Sequence, residues 1–253
     1  MNILALDTAT PVLSIALSNG EHAWYFEADA GNRHSEIIMD AIDMLLSKSG
    51  MQSKDLDLAA CMKGPGSFTG LRIGYSIVKG LCLPSGIAMA AVGTLDCVAY
   101  FRRDWNGFVV PAIDAKKHAY FTALFEKGVR LSEDMDAGVE RIAGLITGAA
   151  SRAASESPVL LTGVDAAPLY EELKRHLPVE KMHLDAGCLE NCRQGYAKAL
   201  LALAPRHIEK NPLSAPEYKR KSDAEIEAGK QAEQRESLPA TGAAGQPPAL
   251  FPY

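Results

Sequence analysis

Two short strings, Ala5-Leu6-Asp7-Thr8 and Ala112-Ile113-Asp114-Ala115, repeat one pattern roughly half a chain apart. Each is an apolar run that ends in an acid, the form of a buried strand delivering a carboxylate to the end of a sheet. The segments after each acid repeat as well. Strand patterns at Val12–Ser18 and Glu21–Ala28, hinged at Asn19-Gly20, are matched by patterns at Tyr120–Phe125 and Val129–Met135, hinged at Gly128. A helical stretch then comes in each half, Arg33–Lys48 and Ala137–Ala150, and each leads to a strand, Leu58–Met62 and Val159–Gly163. The echo is weak in letters but consistent in order, and it restricts the chain to an α/β fold made by duplicating one unit.

Further helices are expected at Phe68–Leu83, Leu95–Arg103, Pro168–Leu177 and Glu190–Ala204, and a strand at Ile87–Val92. Asn19-Gly20 predicts a two-residue hairpin. The expected organisation is a first lobe over 1–103 and a second over 104–221, whose last helix can pack back on the first lobe. Residues 222–253 turn to Glu, Gln, Ala and Gly, interrupted by Pro239, Pro247, Pro248 and Pro252, and are expected to be disordered. The helix over 33–48 stops at Gly50 and carries apolar residues around most of its circumference. One core needs a single stripe, so the excess asks for a second neighbour, within the chain or on another protein.

A net charge of -5 gives no chain-wide basic signal for nucleic acid, although a local basic patch remains compatible with it. No apolar run is long enough to span a bilayer, and Met1–Asp7 has no basic leader region. Five cysteines without regular spacing fit reduced thiols. The expected location is cytoplasmic.

Between the strand at Leu58–Met62 and its helix lies Lys63-Gly64-Pro65-Gly66-Ser67-Phe68-Thr69-Gly70-Leu71-Arg72-Ile73-Gly74. Gly64, Pro65 and Gly66 make a tight turn, and Ser67 is placed as an N-cap. The helix N-terminus offers an anion-sized cradle, but the string is not a Walker A loop. Gly70, Gly74 and Gly80 within the helix suggest close backbone packing.

Asp7, Thr8 and Asp114 mark a candidate nucleotide cleft, because acids at the ends of such strands commonly hold a metal-nucleotide or polarise water. The plainer alternative is that they cap the turns after them, and Thr8-Ala9-Thr10 has no glycine to admit a phosphate. Lys116, Lys117 and His118 come soon after Asp114, to meet an anion or face water. His34 lacks a second histidine four residues on, where Ile38 stands, which rejects zinc there. His183, Cys188 and Cys192, with Asp185 nearby, match no standard zinc spacing. Ser67 has no partner that would make it a nucleophile. Neither catalytic nor metal residues are expected.

The strings Leu4–Thr10, His34-Ser35, Gly64–Gly74, Ala112–Ala115 and Pro216-Glu217-Tyr218 resemble the TsaB (YeaZ) family, over about residues 1–220. The resemblance implies an actin-like ATPase (ASKHA) fold: two duplicated RNase H-like lobes with mixed sheets flanked by helices. It also implies a non-catalytic scaffold that binds and activates TsaD, the paralogue that places threonylcarbamoyl on tRNA adenosine. TsaE, an ATPase, joins that complex. A homodimer forms without TsaD, tRNA is reached only through the complex, and no membrane is involved. The chain itself requires no cofactor, with ATP or ADP in or near the complex. TsaD-type proteins carry a His-x-x-x-His metal pair; His34-Ser35-Glu36-Ile37-Ile38 has lost the second ligand, which fits a pseudoenzyme better than the glycoprotease (M22) label. Docking is expected through His34, Ile38, Ile42, Leu45, Phe68, Gly70, Arg72, Gly74 and Ile77, with Gly74→Arg abolishing it in a folded monomer. The alternative function is an ASKHA-type ATPase or phosphotransferase using Asp7 and Asp114.

Overall fold

Strand parity decides which side chains meet which layer. In β1 (Ile3–Asp7) every residue is buried, and successive side chains leave on opposite faces. Leu4 and Leu6 enter one apolar cluster, Ile3 and Ala5 another. β1 pairs antiparallel with β2 (Leu13–Ser18) and parallel with β4 (Leu58–Gly64). With β3 (Ala23–Ala28) and β5 (Ala88–Gly93) at the edges, the sheet order is β3-β2-β1-β4-β5. The computed structural model describes residues 1–31, 33–152, 157–185, 195–211 and 214–218. The expected disordered tail, 222–253, lies outside them.

The Leu4/Leu6 face is covered by α1 (His34–Ser49) and α2 (Phe68–Ser85). α1 buries His34, Ile38, Ala41, Ile42, Leu45 and Leu46, the spacing of one helical face. It ends at Gly50, whose left-handed φ of 72° lets its N–H return to the carbonyls of Leu46 and Ser47. The Asn19-Gly20 turn differs from expectation. β2 and β3 are joined by four residues, because Asn19 Oδ1 accepts from the backbone N–H of both Glu21 and His22, at 3.0 and 2.7 Å. An Asx turn thus braces the connection, and the Asn19 N–H donates to the His22 carbonyl at 3.1 Å, which leaves Gly20-Glu21 at the tip, one residue on from expectation.

The second sheet runs β10-β7-β6-β11-β12. Its strands are β6 (Phe108–Asp114), β7 (Tyr120–Thr122), β10 (Met135–Ala137), β11 (Val159–Thr162) and β12 (Met182–Leu184), and β8 (Phe125–Glu126) and β9 (Val129–Arg130) extend it beside β6. The single strand expected at Tyr120–Phe125 is two, β7 and β8, which share one register on β6. Pro111 of β6 stands opposite the gap and has no N–H to give the ladder. The strand expected at Val129–Met135 likewise splits into β9 and β10. α4 (Val139–Arg152) and α5 (Ala166–Leu173) cover the Phe108/Val110/Ala112 face of this sheet.

α3 (Thr94–Tyr100) and α6 (Ala197–Leu203) share the remaining cluster with residues of both sheets, including Ala5, Ala16, Val109 and Phe121. α6 packs on β1 and β2, and the Ala197 N–H donates to Ser14 Oγ at 3.0 Å. Of the helix expected from Glu190, residues 190–194 lie outside the described region. Among the described residues, no helix is long and apolar enough to cross a membrane.

Candidate functional site

The acid at the end of β1 is closed off from solvent. Asp7 is 0% exposed, and its Oδ1 accepts from the N–H groups of Ala9 and Thr10 at 3.0 and 3.2 Å. Its Oδ2 accepts from the Thr10 hydroxyl at 2.8 Å and from the Tyr196 N–H at 3.0 Å. Burial pushes its pKa above the ordinary carboxylate value, and these four hydrogen bonds oppose that shift. Asp7 therefore caps the β1–β2 turn and ties it to the start of α6. Thr8, also buried, donates its hydroxyl to the Gly70 carbonyl at 2.7 Å. Both side chains are enclosed, 0% and 1% exposed.

The glycines of the central string are explained by the same turn. A Cβ on Gly66 would lie 2.8 Å from the Ala9 carbonyl oxygen, one on Gly70 would run into the Thr8 carbonyl, and one on Gly74 would meet Thr8 Oγ1 at 2.7 Å. The start of α2 thus sits directly on Thr8-Ala9. Ser67 caps the helix as expected, accepting from the Gly70 N–H at 3.2 Å, while its own N–H donates to Ala9 at 2.9 Å. Those two N–H groups are thus used inside the chain.

A late segment locks the loop from the other side. The Glu217 N–H donates to the Lys63 carbonyl at 2.9 Å, and the two side chains form an ion pair at 2.6 Å. Gly64, at φ +119° and joined to Pro65 by a cis peptide, leaves room for the Glu217 carbonyl, from which a Cβ would be 2.6 Å away. Tyr218 rests on Phe68 with ring centroids 4.5 Å apart, and its hydroxyl accepts from Arg72 Nε at 3.2 Å.

Asp114 occupies a different setting from Asp7. Its carboxylate accepts from the Lys116 N–H and Nζ, both at 2.6 Å, and its own N–H donates to Asp165 at 2.7 Å. It borders a cavity of about 310 Å³ with Lys117, His118, Tyr120 and Glu172. Lys116, Lys117 and His118 all hold positive φ, from 56° to 63°.

Of the candidate soft-donor group, His183 and Asp185 are among the described residues. Asp185 is 7% exposed and takes a bidentate pair from Arg102, both bonds at 2.7 Å, and a third from the Thr162 hydroxyl. His183 meets the edge of Trp105. Cys188 and Cys192 lie outside the described residues. Among the described residues, no three His, Cys, Asp or Glu groups are placed to hold a metal ion.

Most of the residues expected for docking are turned into the chain. Ile38, Ile42 and Leu45 are the core face of α1, His34 is buried with Nε2 3.2 Å from the Pro11 carbonyl, and Gly70 and Gly74 face Thr8. Phe68 is half-covered by Tyr218 and Arg72. Gly74→Arg cannot leave the monomer undisturbed. The outward apolar surface of these helices is carried by Met39 (48% exposed), Met44 (42%) and Leu83 (53%), with the expected Ile77 half-buried at its base beside Ile37, Ile73 and Leu81. Gly80 lies on this outer side, with nothing within 4 Å of a would-be Cβ. Subtracting the α1 core face from the sequence period would have found Met39 and Met44.

Comparison with known proteins agrees with this architecture. Residues 28–167 match the family model described as TsaD, tRNA N6-adenosine threonylcarbamoyltransferase. The tRNA threonylcarbamoyladenosine biosynthesis protein TsaB of Escherichia coli is 36% identical over 143 residues, which is 54% of this chain and 62% of that protein. Its Bacillus subtilis counterpart is 34% identical over 131 residues, 50% of this chain and 56% of that protein. The chain thus matches little more than half the length of these curated relatives. Among solved structures, a Pseudomonas aeruginosa protein with similarity to peptidase YeaZ superposes with a TM-score of 0.69 at 25% identity, covering 87% of this chain and 99% of that one. YeaZ from the same organism gives 0.64 at 25% identity, over 81% and 91%. Two sheets flanked by helices, with a helical layer shared between them, make this the actin-like α/β fold. With matches of this extent in both sequence and structure, the chain belongs to the TsaB (YeaZ) family, a relative of the TsaD enzymes whose model it also matches.

Proposed function

We propose that this chain serves tRNA threonylcarbamoyladenosine synthesis as a non-catalytic subunit, docking a TsaD-type transferase on the outer side of α1 and α2 and activating it. The observation that carries the reading is Gly80. A glycine inside a helix costs about 1 kcal/mol relative to alanine. Gly70 and Gly74 have a reason within the chain, the closeness of Thr8. Gly80 has none, and it lies among Leu83, Ile77 and Leu81, with exposed methionines on the neighbouring helix. A partner helix approaching closely there would account for it. The full set of hydrogen bonds on buried Asp7 supports a structural role for that acid rather than nucleotide chemistry.

The test reconstitutes threonylcarbamoylation from TsaD, TsaE, threonylcarbamoyl-adenylate and tRNA, with and without this chain. Activity is expected only when the chain is added, and none from the chain alone. Gly80→Arg is expected to keep or slightly raise the unfolding temperature while losing activation. Turnover by the isolated chain, or full activation by Gly80→Arg, overturns the proposal.

A further inference from the structure

Away from the α1–α2 face, a cavity of about 400 Å³ opens between the end of α3, the β8–β9 turn and the 3-10 turn Ala204–Arg206 after α6. Three segments each bring a cation to it: Arg103 from the turn just after α3, Lys127, and Arg206 with His207 beside it. The chain as a whole is negative, at -5, so this convergence runs against the average composition.

The acids at the rim do not cancel it. Asp96 is engaged by Arg130, with bonds of 3.0 and 2.7 Å, and Arg130 is held on its other side by Asp134. Asp104 reaches Arg103 only at 3.9 Å, with its own side chain 91% exposed. Neither Lys127 nor Arg206 has an acidic partner among the described residues.

The backbone is built to hold these charges together. Lys127 sits at φ +49°, a left-handed conformation that a lysine adopts at a cost. Gly128 comes next at φ +77°, and a Cβ there would come within 3.0 Å of Arg103 Cβ. The turn is therefore pressed against the end of α3, which brings Lys127 and Arg103 into one cavity. Arg103 is itself fixed: its guanidinium lies 4.4 Å over the Tyr100 ring, and Nη1 donates to the Tyr100 carbonyl at 3.1 Å. Like charges gathered around one cavity repel in water, and an anion reverses the sign of that interaction.

We infer that this cavity binds a ligand carrying two or more neighbouring phosphate groups, held by Arg103, Lys127 and Arg206. A single phosphate carries about -1.5 to -2 charges at pH 7, fewer than the three cations lining this cavity, so two neighbouring phosphates match its charge better. Such groups come either from a free polyphosphate or from an RNA backbone.

Binding of pyrophosphate by calorimetry, and of a fluorescein-labelled single-stranded RNA 12-mer by anisotropy, separates the two sources. Both are run on the full chain at several salt concentrations. Lys127→Asn suits the left-handed position while removing the charge, and Arg206→Gln alters an exposed side chain, so both variants should unfold at the wild-type temperature. Each is expected to weaken binding about tenfold or more, the loss of one charged hydrogen bond. If RNA is the ligand, each also lowers the salt-dependence slope by about 0.7. Pyrophosphate binding with these losses assigns a free polyphosphate, and RNA binding alone with these losses assigns the RNA backbone. Binding of neither probe, or affinities that both substitutions leave unchanged, overturns the inference. The outcome is independent of the TsaD assay, which reads a different face.

Discussion

Gly74 and Gly80 lie on the same helix under opposite constraints, so one substitution made at each should shift stability in opposite directions. At Gly80 an alanine methyl enters open space and the helix gains about 1 kcal/mol from the lost backbone freedom of the unfolded chain. For a folded body of this size, that raises the unfolding midpoint by about 2–4 °C. At Gly74 the same gain is offset by a methyl placed 2.7 Å from Thr8 Oγ1 and 3.4 Å from Cys61 Cβ. Overpacking of this kind costs about 1–3 kcal/mol. Displacing Thr8 also endangers its buried bond to Gly70, worth about 1–3 kcal/mol if the partners are left unpaired. The expected net loss is about 2–3 kcal/mol, a fall of about 4–12 °C. Thermal unfolding monitored by circular dichroism reads both. A stabilised Gly74→Ala, or a destabilised Gly80→Ala, would refute the assignment of inward and outward faces on α2.

Asp7→Asn places an amide donor against the Tyr196 N–H and is expected to cost about 2 kcal/mol, measured by urea unfolding. Because burial raises the Asp7 pKa in the folded state, the stability linked to its proton is full in acid, below the ordinary carboxylate pKa, and is lost as pH rises through the raised value. The wild type should therefore lose part of its margin over the variant between acid and neutral pH, and a margin that widens over that range would contradict the shift. Tyr218→Phe removes one exposed hydrogen bond and should cost under about 0.5 kcal/mol. Tyr218→Ala also removes the ring from Phe68 and should cost about 1 kcal/mol; equal effects would mean the ring contact contributes nothing.

The duplicated order of elements was readable because buried strands and amphipathic helices leave their period in the letters, as in Ile3–Asp7 and the stop at Gly50. The breaks in the second half were harder to read. Pro111 disrupts the pairing of residues that lie across from it, not its own strand, so the gap between β7 and β8 is a cross-strand effect. β12 is short and acquires its strand character from pairing with β11. The expectation that Asp7 caps its turn could be argued from Thr8-Ala9-Thr10, but its partner Tyr196 could not, because nothing local links the two. The inner and outer faces of α1 were hard to tell apart for a simpler reason. An over-apolar helix announces two faces without saying which is inner, and Ile38, Ile42 and Leu45 are the larger, more branched set that a core prefers.

The bond from Tyr196 to Asp7 closes a loop of 189 residues. A chain emerging from the ribosome N-terminus first forms β1 and β2 long before α6 exists to cover them. Until then Asp7 lacks one donor, and Ala5 and Ala16 lack the helix that packs over them. The first sheet is therefore expected to stay open at its inner face until α6 arrives. A fragment ending at residue 103 should accordingly be protease-sensitive where the full chain resists; equal resistance would show that the first lobe closes unaided.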